Sequence, residues 1–193
     1  MRQRIGLHRG AVACTLEDLK GLKVRVTNKA DVPIVGALGA LGASAVAQPV
    51  NVINQNLTNG VIDAIAVGPS AIRSFNLQEP ANYITTWFPG SGSAFVLLMN
   101  NDVYNGLSEE VRGWVDAAAV EALSLSGGAF CDKAATDGMA LAAEEGVEMI
   151  DISDAEKARW LETIGPALDA AMSEQAGDMT IGEVMALMRG DGS

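Results

Sequence analysis

The chain has 193 residues, of which 49% are apolar, 19% charged and 5% aromatic, a composition that supports one good core or two small ones and lies outside the disordered range. Thirteen basic residues against 24 acidic ones give a formal charge of −11, which repels phosphate backbones and argues against DNA or RNA as a partner. One histidine, His8, and two distant cysteines, Cys14 and Cys131, offer neither metal-ligand spacing nor a Ser-His-Asp set, so no metal, cofactor or catalytic residue is expected. Whether the two cysteines pair is left open by their spacing.

No run of 18 apolar residues occurs, so no segment reads as membrane-spanning. The opening Met1-Arg-Gln-Arg-Ile-Gly-Leu-His-Arg9 has no apolar stretch behind its basic residues and does not read as a secretory signal. On that reading the chain is either cytoplasmic or begins within something longer.

In chain order, the start reads as irregular. Thr15-Leu-Glu-Asp-Leu-Lys-Gly21 reads as one helical turn, opened by a capping threonine and closed by glycine. Residues 22–26 alternate apolar and basic side chains, which predicts a strand with Leu22, Val24 and Val26 on one face and Lys23 and Arg25 on the other. A helix over 33–41, a strand over 45–50, a helix over 52–58 and an apolar strand over 61–67 follow. This strand–helix alternation predicts an α/β fold with a mostly parallel sheet.

A short helix to about Leu77 comes next, then strands over 83–86 and 94–99. Ser108-Glu-Glu110 is a strong helix start. Helical periodicity then runs to Glu145, some 38 residues or about 57 Å, with a break expected at Gly127-Gly128. A strand over 147–152, a helix over 154–174 and a tail helix over 180–188 complete the chain. A helix that long reads as one that serves two lobes.

Asp18-Leu-Lys-Gly-Leu-Lys-Val-Arg-Val26 resembles the most recognisable segment of TRAP-transporter solute-binding proteins of the DctP type. Further pieces follow in the family's order. They are Gly39–Gly42 with its following strand, Asn56-Leu-Thr-Asn-Gly-Val-Ile-Asp-Ala64, Phe95-Val-Leu-Leu-Met-Asn100 with Tyr104-Asn-Gly-Leu-Ser-Glu-Glu110, and Gly146-Val-Glu-Met-Ile150. Together they cover residues 15–175. The resemblance implies a periplasmic-binding-protein-like receptor, not an enzyme. Such a receptor takes a small organic acid and hands it to TRAP membrane permease subunits in the periplasm.

It also implies a division of the chain. Residues 1–92 and 132–175 would form the second, C-terminal ligand-binding lobe, and 93–131 a remnant strand and linking helix of an incomplete first lobe. Residues 176–193 would be a tail helix, and the first lobe and signal peptide of the family would be missing. Ala64 stands where the family has glycine, and Ile65-Ala-Val-Gly-Pro-Ser70 lacks the ligand-facing polar or aromatic side chain often found there.

Arg25 is the leading site candidate, because guanidinium matches a carboxylate with two parallel donors. From the residues alone it reads first as an exposed strand arginine in a surface ion pair; the resemblance reverses that and assigns it the carboxylate. Asn28 reads as a ligand donor or a turn-former. Val67, Gly68 and Pro69 end a strand at the edge where open α/β sheets bind ligands, or serve strand-to-helix packing. Trp87 and Phe95 flank the 88–93 loop as cleft walls or core residues. Asp63, inside an apolar run, reads as structural. Three readings follow: an organic-acid receptor, a small α/β enzyme that lacks every usual motif, and a self-associating remnant that pairs through exposed sheet edges as a homodimer.

Overall fold

The computed structural model describes residues 4–10, 13–29, 32–88 and 97–189. Six strands form one sheet: β1 (Arg4–His8), β2 (Lys23–Val26), β3 (Ser44–Ala47), β4 (Ala64–Val67), β5 (Tyr83–Phe88) and β6 (Glu148–Ile150), in the order β3-β2-β4-β1-β5-β6. Strand β2 is parallel to β3 and β4, and β5 is parallel to β6. Strand β1 runs antiparallel to both of its neighbours, β4 and β5. The sheet is therefore mostly parallel, as the strand–helix alternation predicted.

Helices cover both faces, as parallel strands buried on two sides require. On one face α1 (Val32–Ala40) and α7 (Asp154–Met172) lie over Leu19, Val24, Val26 and Phe88. On the other, α2 (Ile53–Thr58), α3 (Ala71–Ser74) and the C-terminal half of α6 (Glu121–Glu144) cover Ile5, Leu7, Ile65 and Ile84. The split follows from strand alternation, since Val24 and Val26 point to the first face and leave Arg25 to the second. Trp160 of α7 is fully buried and meets Trp87 at 5.9 Å with tilted rings and Phe88 at 6.0 Å edge-on. Edge-on contacts of this kind add to plain area burial.

The turn before β2 is a 3-10 segment, Glu17–Leu19, with Leu19 buried. Its cap is not Thr15. The Asp18 carboxylate accepts from the amides of Cys14 at 3.1 Å and Thr15 at 2.8 Å. Gly21, at φ +78°, then reverses the chain and donates to the Gly42 carbonyl at 2.8 Å, a conformation that L side chains rarely adopt.

Several expectations are corrected. The opening is not irregular: β1 lies in the middle of the sheet. The helix after Ser108 does not break at its glycine pair. It is two helices, α5 (Glu109–Ala118) and α6, separated at Ala119 and the extended Val120, and α6 runs unbroken through Gly127 and Gly128. A helix α4 (Asn101–Gly106), capped by the Asn100 side chain, precedes them. Of the strand expected at 94–99, residues 94–96 lie outside the described residues, and Leu97–Met99 form no strand. A two-stranded hairpin, β7 (Gln175–Ala176) and β8 (Met179–Thr180), leads into α8 (Ile181–Arg189).

His8 is buried in the sheet. Its Nε2 lies 3.1 Å from Thr85 Oγ1, and its Nδ1 has no partner among the described residues. Burial pushes its pKa down from 6.5 to about 4, because the imidazolium would lose its hydration there. The unfolded chain therefore binds the extra proton first as pH falls. The stability from a neutral His8 is complete above pH 6.5 and is lost progressively toward pH 4. Urea unfolding at pH 7 and pH 4 should show the wild type losing roughly 3 kcal/mol more than His8→Leu over that interval. Equal losses in the two proteins would contradict the burial argument.

Candidate functional site

Arg25 is fully buried, at 2% exposure, which removes the surface ion-pair reading. It sits on β2 opposite Val46 of β3 and Ile65 of β4. Its guanidinium reaches past the end of β3, where Nε and Nη2 both donate to the Gln48 carbonyl, at 3.0 and 2.7 Å. Gln48 is held in turn, since its side-chain oxygen accepts from the Asn56 amide of α2 at 3.0 Å and its backbone amide donates to the Val26 carbonyl at 3.2 Å. The cation is thus fixed at the C-terminal edge of the parallel strands, the edge at which open α/β sheets bind ligands.

Val67, Gly68 and Pro69 end the neighbouring strand β4 at the same edge, each half-buried. Helix α6 sets their position. A Cβ on Gly138 would stand 2.6 Å from the Pro69 carbonyl oxygen and 3.3 Å from Ile72, so the helix backbone lies directly on that loop. Asn28, two residues beyond β2, is exposed near this edge.

Trp87 does not join the group. It packs against Trp160 with the core on the face of the sheet opposite Arg25. Phe95 lies outside the described residues. The structure therefore brings Arg25 together with Val67–Pro69 and separates Trp87 from them. Gln48 and Asn56 were missed by sequence reasoning. The Gln48 contribution is a backbone carbonyl, which any residue supplies, and Asn56, though it opens one of the family-like blocks, carried no mark of a site residue.

Asp63 has the structural role expected of it. It precedes β4 and accepts from the Lys23 amide at 2.8 Å, closing the opposite end of β2. A cavity of about 360 Å³ lies at that opposite end, lined by Arg9, Leu22, Ile62, Asp63 and Asn82, away from Arg25. Among the described residues no group of three His, Cys, Asp or Glu side chains is placed to hold a metal. Cys14 and Cys131 are both free thiols, and burial, reinforced by Asp18 and Glu148, pushes the Cys14 thiol up. No helix of the described residues is long and apolar enough to cross a membrane.

These features define a class: an α/β lobe that presents a buried, pre-oriented guanidinium at the ligand edge of its sheet. Residues 13–175 match the family described as bacterial extracellular solute-binding protein, family 7 (DctP), and the chain belongs to that family. No curated protein matches it. Among solved structures it is similar to a TRAP periplasmic solute-binding protein from Desulfovibrio salexigens with bound orotic acid, at 24% identity and a TM-score of 0.75, over 88% of this chain and 53% of that one. A TRAP solute-binding protein from Rhodoferax ferrireducens in complex with copurified benzoate matches at 22% identity and a TM-score of 0.77, over 97% and 55%. One from a marine metagenome, specific for aromatic acid ligands, matches at 26% and 0.75, over 88% and 54%. The chain thus spans about half the length of the solved proteins it matches.

The close seat of α6 on the Pro69 carbonyl is testable. Gly138→Ala should cost about 1–3 kcal/mol by overpacking and should shift the amide resonances of Gly68 and Ala71 more than those of β3. An unchanged stability would show that the helix is free to lift from the loop.

Proposed function

We propose that this chain is the principal ligand-binding lobe of an extracytoplasmic receptor that passes a small organic acid to TRAP-type membrane permease subunits, with Arg25 holding the acid's carboxylate. The observation that carries this reading is the burial of Arg25 at the ligand edge, oriented by the Gln48 carbonyl. A guanidinium held through Nε and Nη2 has its plane set before any ligand arrives. That pre-organisation reduces the ordering cost of binding a planar anion. Family membership supports the receptor role, and the acids named for the solved relatives, orotic acid and benzoate among them, support the ligand class.

In this reading residues 1–92 and 132–175 are the lobe, and 93–131 belong to the opposing one. Residues 176–193 are a tail, and the complete receptor works in the periplasm. Gly68 and Pro69 shape the pocket floor, and Asn28 stands at its rim. The rest of the opposing wall comes from the part of the relatives that this chain does not match, since it spans 53–55% of their length. Binding by this chain alone is accordingly weak, in the millimolar range.

Titration of the ¹⁵N-labelled chain with benzoate and orotate should move the Arg25 Nε, Gln48 and Gly68 signals together. The Arg9 and Asp63 signals should stay in place. Arg25→Lys, which keeps the charge but loses the planar fork, should weaken the response several-fold, and Arg25→Met should abolish it with circular dichroism unchanged. Shifts centred on Arg9, or a response that survives Arg25→Met, would refute the assignment.

A further inference from the structure

Arg9 is a cation that the ligand reading leaves unused. It lines the cavity of about 360 Å³ at the end of the sheet opposite Arg25, together with Gly10, Leu22, Ile62, Asp63 and Asn82. The chain carries a formal charge of −11, yet the Arg9 guanidinium pairs with no carboxylate among the described residues, although Asp63 lines the same cavity.

The opposing lobe does not account for this cavity. Strand β1 is antiparallel to β4 and β5, so the chain enters β1 and leaves β5 at the ligand edge. Those connections, and the segment 93–131 with them, lie at that edge. The cavity lies at the other end, where four adjacent strands turn. Arg9 follows β1, Leu22 precedes β2, Ile62 and Asp63 precede β4, and Asn82 precedes β5.

We infer that this far end of the sheet is a second binding site, which takes a small α-amino acid with an apolar side chain. Arg9 holds the carboxylate, Asp63 and Asn82 hold the ammonium, and Leu22 and Ile62 receive the side chain. Arg9 is seated for that role. Its Nη1 lies over Gly60, where a Cβ would stand 2.6 Å from it, and Lys23 Nζ donates to the Gly60 carbonyl at 3.2 Å. Two cations thus converge on one bare stretch of backbone, which attracts an anionic group and offers it a planar fork.

The acceptors line the same cavity. Asp63 Oδ2 accepts from the Lys23 amide at 2.8 Å, which leaves Oδ1 for an ammonium. Asn82 directs its side-chain nitrogen to the Arg9 carbonyl, which leaves its oxygen as the second acceptor. Ile62 is fully buried and Leu22 half-buried, and they supply the apolar floor. The volume stands at the small end of the roughly 300–1,000 Å³ of ligand pockets. A plain acid meets the Asp63 charge and a plain amine meets Arg9, so only a zwitterion matches both. The inference does not depend on the reading of Arg25.

Titration of the ¹⁵N-labelled chain with L-leucine should move the Arg9 Nε, Gly10, Asp63 and Asn82 signals together. Saturation should fall in roughly the millimolar range, with Arg25 and Gln48 in place. 4-Methylpentanoate, which lacks the ammonium, and 3-methylbutylamine, which lacks the carboxylate, should each bind at least about tenfold more weakly. Arg9→Gln, at an exposed position, should abolish the leucine response with circular dichroism unchanged. Asp63 also closes the start of β2, so its part is read from the two half-ligands and needs no substitution. No movement at Arg9 with leucine would overturn the inference, as would an equal response to 4-methylpentanoate, a response that survives Arg9→Gln, or shifts centred on Arg25.

Discussion

The Glu156 carboxylate ties together the two halves of the chain that make the lobe. One oxygen accepts from the Leu16 amide at 2.6 Å and from the Trp160 indole at 3.0 Å, while the other receives Arg159 at 2.8 Å. Arg159 also bridges to Glu17 at 2.7 Å. Burial alone would raise the Glu156 pKa, yet the hydrogen bonds from Leu16, Arg159 and Trp160 outweigh it and hold the group below the usual carboxylate range. The turn leading into β2 is thereby fixed to α7, 140 residues away. Because Trp160 is wedged against Trp87 and Phe88 of β5, the same tie sets the packing distance between α7 and the sheet. The position of Arg25 follows from this, since β2 begins four residues after Leu19.

That arrangement explains what the Asp18–Val26 segment is for. Most of its residues are architectural. Asp18 closes the turn onto Cys14 and Thr15, Leu19 fills the core, Gly21 reverses the chain, and Val24 and Val26 anchor the strand. The alternation sends Lys23 and Arg25 to the other face; Lys23 is exposed, whereas Arg25 is buried and meets the end of β3. The segment is distinctive because a rigid turn, an anchored strand and a buried cation must occur together.

Much of this was legible in the sequence, for identifiable reasons. Alternation of period two gave β2 and the face of Arg25, and the capping pattern at Ser108 marked the start of α5. The strand β1 was not legible, because Ile-Gly-Leu-His alternates apolar residues with a glycine and a histidine that are themselves buried. Polarity then carries no inside–outside signal. The break between α5 and α6 was misplaced because glycine was weighted as the helix breaker. Gly127 and Gly128 sit among Ala, Leu and Ser in a helix that tolerates them, while the actual interruption, at Ala119 and Val120, carries no breaker residue. Trp87 was drawn toward the ligand by its place beside a loop, whereas a buried tryptophan partner 73 positions later claimed it. Gln48 was invisible because backbone carbonyls have no sequence code.

Helix α6 carries the last step of this reasoning. Its 24 residues span about 36 Å, with the first half bare and the second half seated on the body. Gly138 rests on the Pro69 carbonyl, and Pro69 belongs to the loop beside Arg25. A rigid helix transmits displacement along its axis without needing a chain of side-chain contacts. Ala135 and Ala142 are buried on the body with Gly138, which is the position where the helix backbone itself meets the loop beside Arg25. Glycine is required at that contact, because a Cβ there would stand 2.6 Å from the Pro69 carbonyl oxygen. An unbroken helix through Gly127 and Gly128 joins that contact to the bare first half more stiffly than a break at the glycine pair would have allowed.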